Sequence, residues 1–354
     1  MQGQLTRYAY INAKLRARIS KLLPEETFKR MVSAHSLGEA LGILRETSYG
    51  VLGDIFEKTG DLKLGELELF RREVELFTEL QKYVQGELLE FVQALSARYE
   101  IDNLKNALRL FFDRRVRKRP VDYAVHYVYR EPIRYNFSVE GIINAESVDE
   151  ITRYLAATPY ASIVSEYRAS VEEGSLFPLE VALDFFFYRN LLACAQALPL
   201  MDRRVALRII GVEIDLQNID WIIRFKTFYG LPLEKALALI IPSGFNLKEK
   251  EIREVYSTQN LGELIREIVG RGYSGIAPLL STEATDTASR FLLVERVLEH
   301  IMASEVQRVL AGYPFTVGIV LAYFLLKRNE MRKVRSVLNA KYYKLSEGRL
   351  QGIL

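Results

Sequence analysis

A chain of 354 residues, 49% hydrophobic and 26% charged, has the composition of an ordinary folded protein with a sizeable core. Its 48 Lys and Arg against 45 Asp and Glu leave a net charge of +3, without the strong basic excess that marks nucleic-acid binders. A single cysteine, Cys194, excludes an internal disulfide and suits a reducing, cytoplasmic setting.

The first twenty residues, Met1 to Ser20, are charged and helical in pattern, with no apolar block of the signal-peptide kind. In the segment from Ser36 to Leu44, positions Leu37, Ala40, Leu41 and Leu44 follow the helical i, i+3, i+4, i+7 spacing. Ser36 then makes an N-cap and Glu39 falls at N3, the two halves of a capping box. Tyr49 lies in the turn beyond, and a long helix is expected over Phe70 to Leu95. Glu100-Ile-Asp-Asn103-Leu104, followed by Arg109, is placed early in the last helix of this stretch. That helix closes on Arg114, Arg115, Arg117, Lys118 and Arg119, cations that suit the negative end of the macrodipole. A contact with an acidic partner surface is their functional alternative. Tyr123 to Tyr135, rich in Val and Tyr, is the best strand candidate and reads as helix with an irregular end.

The same order then recurs. Ser147 and Glu150 repeat the capping box, Pro159-Tyr160 the turn, and Leu179 to Leu198 the long helix, which carries Cys194 as a small core residue. Asp215-Leu-Gln-Asn218-Ile219 with Arg224 matches the first acid–Asn–Arg set. A third passage offers Asn260 and Glu263, then Gly272-Tyr273, then a helix over Ser289 to Leu310. Phe315 to Leu326 is the longest apolar run and is far shorter than the ~20 residues of a membrane span. In Glu330-Met-Arg-Lys333-Val334 the acid is kept, while Lys333 stands for Asn and Asn339 for Arg. Two independent landmarks, Tyr49, Tyr160, Tyr273 and Asn103, Asn218, Lys333, thus share a period of roughly 115 residues. Prolines 120, 132, 232 and 242 place the unit borders, giving repeats 1–120, 121–235 and 236–354 of an all-α fold.

Catalytic constellations are missing from the sequence. It contains neither the P-loop pattern nor H-E-x-x-H, and His35, His126 and His300 are not at ligand spacing. Gly270-Arg-Gly272-Tyr-Ser-Gly275 satisfies G-x-G-x-x-G, but it follows a helical pattern where a dinucleotide site needs a strand, so it reads as a helix stop. The repeated set Glu100, Asn103, Arg109 and Asp215, Asn218, Arg224 reads first as structural: an acid favoured near a helix N-terminus, with Asn and Arg bonding to neighbouring helices. Direct contact with a partner is the alternative. No metal or cofactor is expected.

The chain resembles the C-subunit family of the archaeal and bacterial V-type (A-type) ATPase and ATP synthase, equivalent to the d component of the eukaryotic V-ATPase. The resemblance runs nearly end to end. It rests on Tyr8-Ala-Tyr-Ile-Asn-Ala-Lys-Leu-Arg-Ala-Arg18, Glu39 to Tyr49, Asp102-Asn-Leu-Lys-Asn-Ala-Leu-Arg109, Glu213 to Ile219 with Arg224 and Lys226, Pro314 to Tyr323 and Glu330 to Lys341. It implies three helical bundles about a pseudo-threefold axis, forming a funnel with a central cavity. The funnel would cap the membrane rotor ring of c/K-type proteolipid subunits on its cytoplasmic side, as a peripheral part of a membrane-bound complex. It would receive the D and F subunits of the central stalk and carry torque for proton or other ion transport and ATP synthesis, without catalysis, nucleic acid or small-molecule substrate. Tyr49, Tyr160, Tyr273, Asn103, Arg109, Asn218, Arg224 and Lys333 mark the repeats and are candidate contacts with other subunits. The 20 Tyr and 18 Phe supply contact area suited to partly wet interfaces. A free helical scaffold binding partners in a groove, and an all-α enzyme with a site in a central cavity, are the rival readings.

Overall fold

The computed structural model describes residues 2–226, 230–256 and 287–344. Among them every regular element is helical. In chain order these are α1 (Gln2–Ile19), α2 (Glu25–Ser33), α3 (Leu37–Leu44), α4 (Gly50–Thr59), α5 (Leu62–Gln81) and α6 (Gly86–Arg115). Then come α7 (Val139–Asn144), α8 (Val148–Tyr154), α9 (Tyr160–Glu166), α10 (Arg168–Glu172), α11 (Phe177–Ala197), α12 (Leu200–Arg224), α13 (Leu233–Ala238) and α14 (Glu249–Tyr256). Two long helices complete the described part, α15 (Thr287–Ala311) and α16 (Gly318–Tyr342). The third capping pair, Tyr273 and the glycines 270, 272 and 275 lie outside the described residues.

The chain condenses into two units. One is continuous, Leu44–Leu198; the other is discontinuous, built from Met1–Ile43 and Pro199–Leu354. In the continuous unit α6 is the central strut, packed on α5, α7 and α11. It buries Leu88, Phe91, Leu95, Ile101, Leu104, Leu108 and Phe111, each leaving no more than 2% exposed. Apolar side chains of this size contribute roughly 1.5–3 kcal/mol apiece when removed from water. In the discontinuous unit α1 and α15 both pack on α16, and α12 packs on both α15 and α16.

Local chemistry sets the short helices. Ser36 Oγ accepts the Glu39 N–H at 3.1 Å, and the Glu39 carboxylate accepts the His35 N–H at 2.8 Å. Ser147 and Glu150 do the same at 3.2 Å, with the Glu146 N–H held at 2.8 Å. Both boxes stand as their sequence spacing requires.

Three expectations are corrected. The helix expected over Phe70 to Leu95 is two helices, because the chain turns at 82–85 and Gly86 takes φ +56°, a region costly for residues with a Cβ. Leu80, Val84 and Leu88 are all buried and four apart, so the apolar period runs through the turn and hides it. Residues 123–135 form only a single 3-10 turn, Val125–Tyr127, since their backbone groups are claimed by buried side chains of α6. Cys194 is half-buried rather than a core residue, and burial holds its thiol above the usual range.

Two cations cross from α6 to one carboxylate on α11. Lys105 Nζ lies 2.5 Å and Arg98 Nη1 3.1 Å from Asp184 Oδ1. Burial pushes the Lys105 ammonium below its ordinary value, while Asp184 opposes that shift. Replacing Asp184 by Ala would leave the buried Lys105 without this acceptor and Arg98 with Asp102 in its place. Urea denaturation of Asp184→Ala is expected to show a loss of about 3–5 kcal/mol; a loss under about 1 kcal/mol would mean the network contributes little.

Candidate functional site

The repeated acid and asparagine sit at or past the middle of their helices, not near an N-terminus, so the macrodipole is not their role. They face a segment further along the chain. On α6, one oxygen of Glu100 accepts the N–H groups of Arg134 and Tyr135, each at 2.7 Å. Its other oxygen accepts the Tyr160 hydroxyl at 2.7 Å. Asn103 lies one turn on, on the same face. Its amide nitrogen donates to the Tyr129 carbonyl at 2.8 Å, and its oxygen accepts the Tyr129 N–H at 3.1 Å.

The second copy matches it in detail. Asp215 on α12 accepts the N–H groups of Asn246 at 2.6 Å and Leu247 at 3.1 Å. Asn218 holds Ile241 by the same two-point bond, at 2.8 and 2.9 Å. Gly244 leaves room for this grip: a Cβ there would stand 2.0 Å from Asp215 Oδ1.

A cation closes each copy. Arg114 donates to the carbonyls of Ile143, at 3.1 Å, and Ala145, and Arg115 to that of Glu146 at 2.9 Å. Lys226 donates to the Tyr256 carbonyl. From sequence, Arg114 and Arg115 read as helix-end charges, and Lys226 did not stand out as a clamp. The available signal was a cation ending the helix after each acid–Asn pair.

The third copy reaches back to the start of the chain. Glu330 on α16 accepts the Leu23 N–H at 2.5 Å and pairs with Lys327 at 3.0 Å. Lys341 donates to the carbonyls of Val32, at 2.6 Å, and Ala34. These correspond to Ile143 and Ala145 in the second repeat. Lys333, standing for Asn, pairs instead with Glu299 of α15 at 3.0 Å. A lysine has donors only and cannot make the two-point amide bond. The discontinuous unit holds one more acid-to-backbone tie: buried Asp202 at the start of α12 accepts the Val317 N–H at 2.8 Å beside the Tyr8 phenol.

The remaining candidates separate from these joints. Arg109 is half-exposed and pairs with Glu180 at 2.5 Å, and Arg224 pairs with Asp220 one turn away at 2.9 Å. Exposed pairs of this kind contribute about 0–1 kcal/mol. Tyr49 and Tyr160 are fully buried, and each N–H is held by a threonine two residues earlier, Thr47 at 3.1 Å and Thr158 at 3.2 Å. Those threonines cap the preceding turns through the carbonyls of Leu44 and Leu155. The tyrosine landmark is therefore a Thr-x-Tyr turn, and in the third repeat Arg271 stands where the threonine would be.

Burial raises the proton affinity of Glu100 against the lowering effect of its three donors. Burial, and then the Glu100 charge, push the Tyr160 phenol well above its usual range. These oxygens are saturated by backbone and phenol donors, which makes them fasteners rather than proton-transfer groups. His35, His126 and His300 are exposed or half-exposed, and among the described residues no group of three or more His, Cys, Asp or Glu is placed to hold a metal ion. Among the described residues no helix is long and apolar enough to cross a membrane.

The described fold is all-α, with buried polar side chains that tie helix to irregular backbone. The chain belongs to the ATP synthase (C/AC39) subunit family, whose sequence model matches residues 11–352. It is thus a non-catalytic member of the A/V-type rotary class. It is 24% identical to the C subunit of the A-type ATP synthase of Methanothermobacter thermautotrophicus, over 94% of this chain and 84% of that one. Against the same protein of Methanocaldococcus jannaschii the identity is 21% over 99% and 86%. For that of Thermococcus gammatolerans it is 26% over 94% and 85%.

Two outcomes test the joints. A folded-state affinity of Glu100 above the free carboxyl value makes the native state bind its proton more tightly than the unfolded chain. Stability from this group is then fullest below the unfolded value, about 4.3, and declines as pH rises through the folded one. Glu100→Gln should therefore gain on the wild type as pH rises from about 4 to 7 in urea titrations; a constant difference across that range would contradict it. Gly244→Ala is expected to destabilise by on the order of 3 kcal/mol by driving into Asp215. Gly42→Ala, where nothing lies within 4 Å, should be neutral or stabilising by up to about 1 kcal/mol.

Proposed function

We propose that this chain is the socket of an A/V-type ATPase or ATP synthase, coupling the D and F subunits of the central stalk to the membrane rotor ring. In this reading the three repeats, 1–120, 121–235 and 236–354, stand about a pseudo-threefold axis as a funnel. The stalk seats in its cavity and one rim meets the ring's loops at the cytoplasmic face. The observation that carries the proposal is the thrice-repeated joint, in which the last copy, Glu330 and Lys341, returns to Leu23, Val32 and Ala34. A linear stack of repeats has no reason to tie its last helix to its first segment; a closed set does. The relatives named as C subunits of A-type ATP synthases support the same assignment.

The physical logic is that of a coupling under load. Torque applied to a helical wall shears helices past one another, and apolar packing alone resists sliding weakly because it is non-directional. Directional bonds from buried side chains to backbone fix the register of each helix against its neighbour. Ion pairs on the outer faces add little to that stiffness.

A tagged chain purified in mild detergent is expected to bring down ring and stalk subunits together. Membranes from cells lacking the chain should retain ATP hydrolysis by the head while ATP-driven ion pumping falls to background, and re-expression should restore pumping. Recovery of the chain alone, with pumping intact in its absence, would overturn the proposal.

A further inference from the structure

The three joints do the same work on unequal chains. In the first, Glu100 and the Arg134 N–H are 34 residues apart, and in the second, Asp215 and the Asn246 N–H are 31 apart. Each helix there grips the segment the chain forms next. In the third, Glu330 and Leu23 are 307 residues apart, and Lys341 and Val32 are 309 apart. The covalent path between the two sides leaves the discontinuous unit at Ile43, runs through the whole continuous unit and returns at Pro199.

The chemistry of the grip differs in the same direction. The first two joints carry the two-point amide brace, Asn103 on Tyr129 and Asn218 on Ile241. In the third, Lys333 is turned to Glu299 and has no acceptor to offer a backbone N–H. The polar ties on α1 and α2 run to α16, its approach and the end of α15: Glu330 and Lys341 on the segment 23–34, Asn12 on the Pro314 carbonyl and Arg16 on the Leu310 carbonyl, with Tyr8 beside Asp202 of α12. Tyr8, Ile11 and Leu15 supply the buried face of α1.

We propose that α1 and α2 form a detachable clasp on α16: a strap that opens as one piece, while the rest of the discontinuous unit and the continuous unit stay folded. It is the joint without the amide brace, held by single-point polar ties. The first two joints are expected to hold longer, because each carries the two-point amide brace that the third lacks.

Native-state hydrogen exchange on the full chain, at rising urea, tests the clasp. The amides of α2 are expected to lose protection at lower urea than those of α12 and α16, as a sub-global opening. The amides of α7, the matching segment of the first joint, are expected to lose theirs together with α6. Coincident loss in α2 and α16 would overturn the proposal. In Lys341→Met the α2 amides should exchange about tenfold faster or more, with α7 changed by less than about twofold. Arg114→Met should speed α7 by less than Lys341→Met speeds α2. Uniform acceleration across the chain in Lys341→Met, or equal responses of the two joints, would also overturn it. Should Lys341→Met fail to fold, the wild-type urea series decides alone.

Discussion

Irregular backbone buried against helices must find partners for its N–H and C=O groups, and the stretches 129–135 and 241–247 are such backbone. Tyr129, Ile241 and Leu247 are all buried there. An unpartnered buried amide costs about 1–3 kcal/mol, and each stretch would strand several. Glu100 with Asn103, and Asp215 with Asn218, meet that demand from the face of one helix. In exchange the irregular backbone solvates two charges in a site water cannot fill. Neither side is stable without the other, so the position of each last helix against the next segment is fixed to a single register.

From that constraint the rest of the organisation follows. Each acceptor segment lies about thirty residues beyond the acid that grips it, past the unit borders expected from the sequence. Arg114 and Lys226 extend the tie to the ends of the helices that follow. The last repeat has no successor within the described residues, and its helix α16 takes the first segment of the chain instead. Within the discontinuous unit this joins the last long helix to the first segment of the chain.

The sequence showed the period, the all-helical character and the capping boxes, because each depends on neighbours within a turn or two. It singled out Glu100, Asn103, Asp215 and Asn218, read the asparagines as bonding to neighbouring elements, and misplaced the acids near helix N-termini. Mid-helix Glu and Asn look like surface or dipole residues until the backbone they serve is seen, and that backbone lies about thirty residues away. Residues 123–135 misled for the same reason: their Val and Tyr content suggests regular structure, while their N–H groups are already claimed by α6. Arg109 and Arg224 were singled out because they recur, and recurrence did not distinguish an exposed ion pair from a buried tie.

By itself the sequence indicated that the chain is helical and carries a recurring pattern with a period of roughly 115 residues, altered at Lys333 and Asn339. Those features are local or periodic, and local physics is legible in order along a chain. Only the tertiary structure decided which backbone each acid fastens, and that Glu330 and Lys341 close on Leu23, Val32 and Ala34. A partner 307 residues away leaves no spacing to read. It is selected when burial makes every other arrangement of those donors and acceptors more costly.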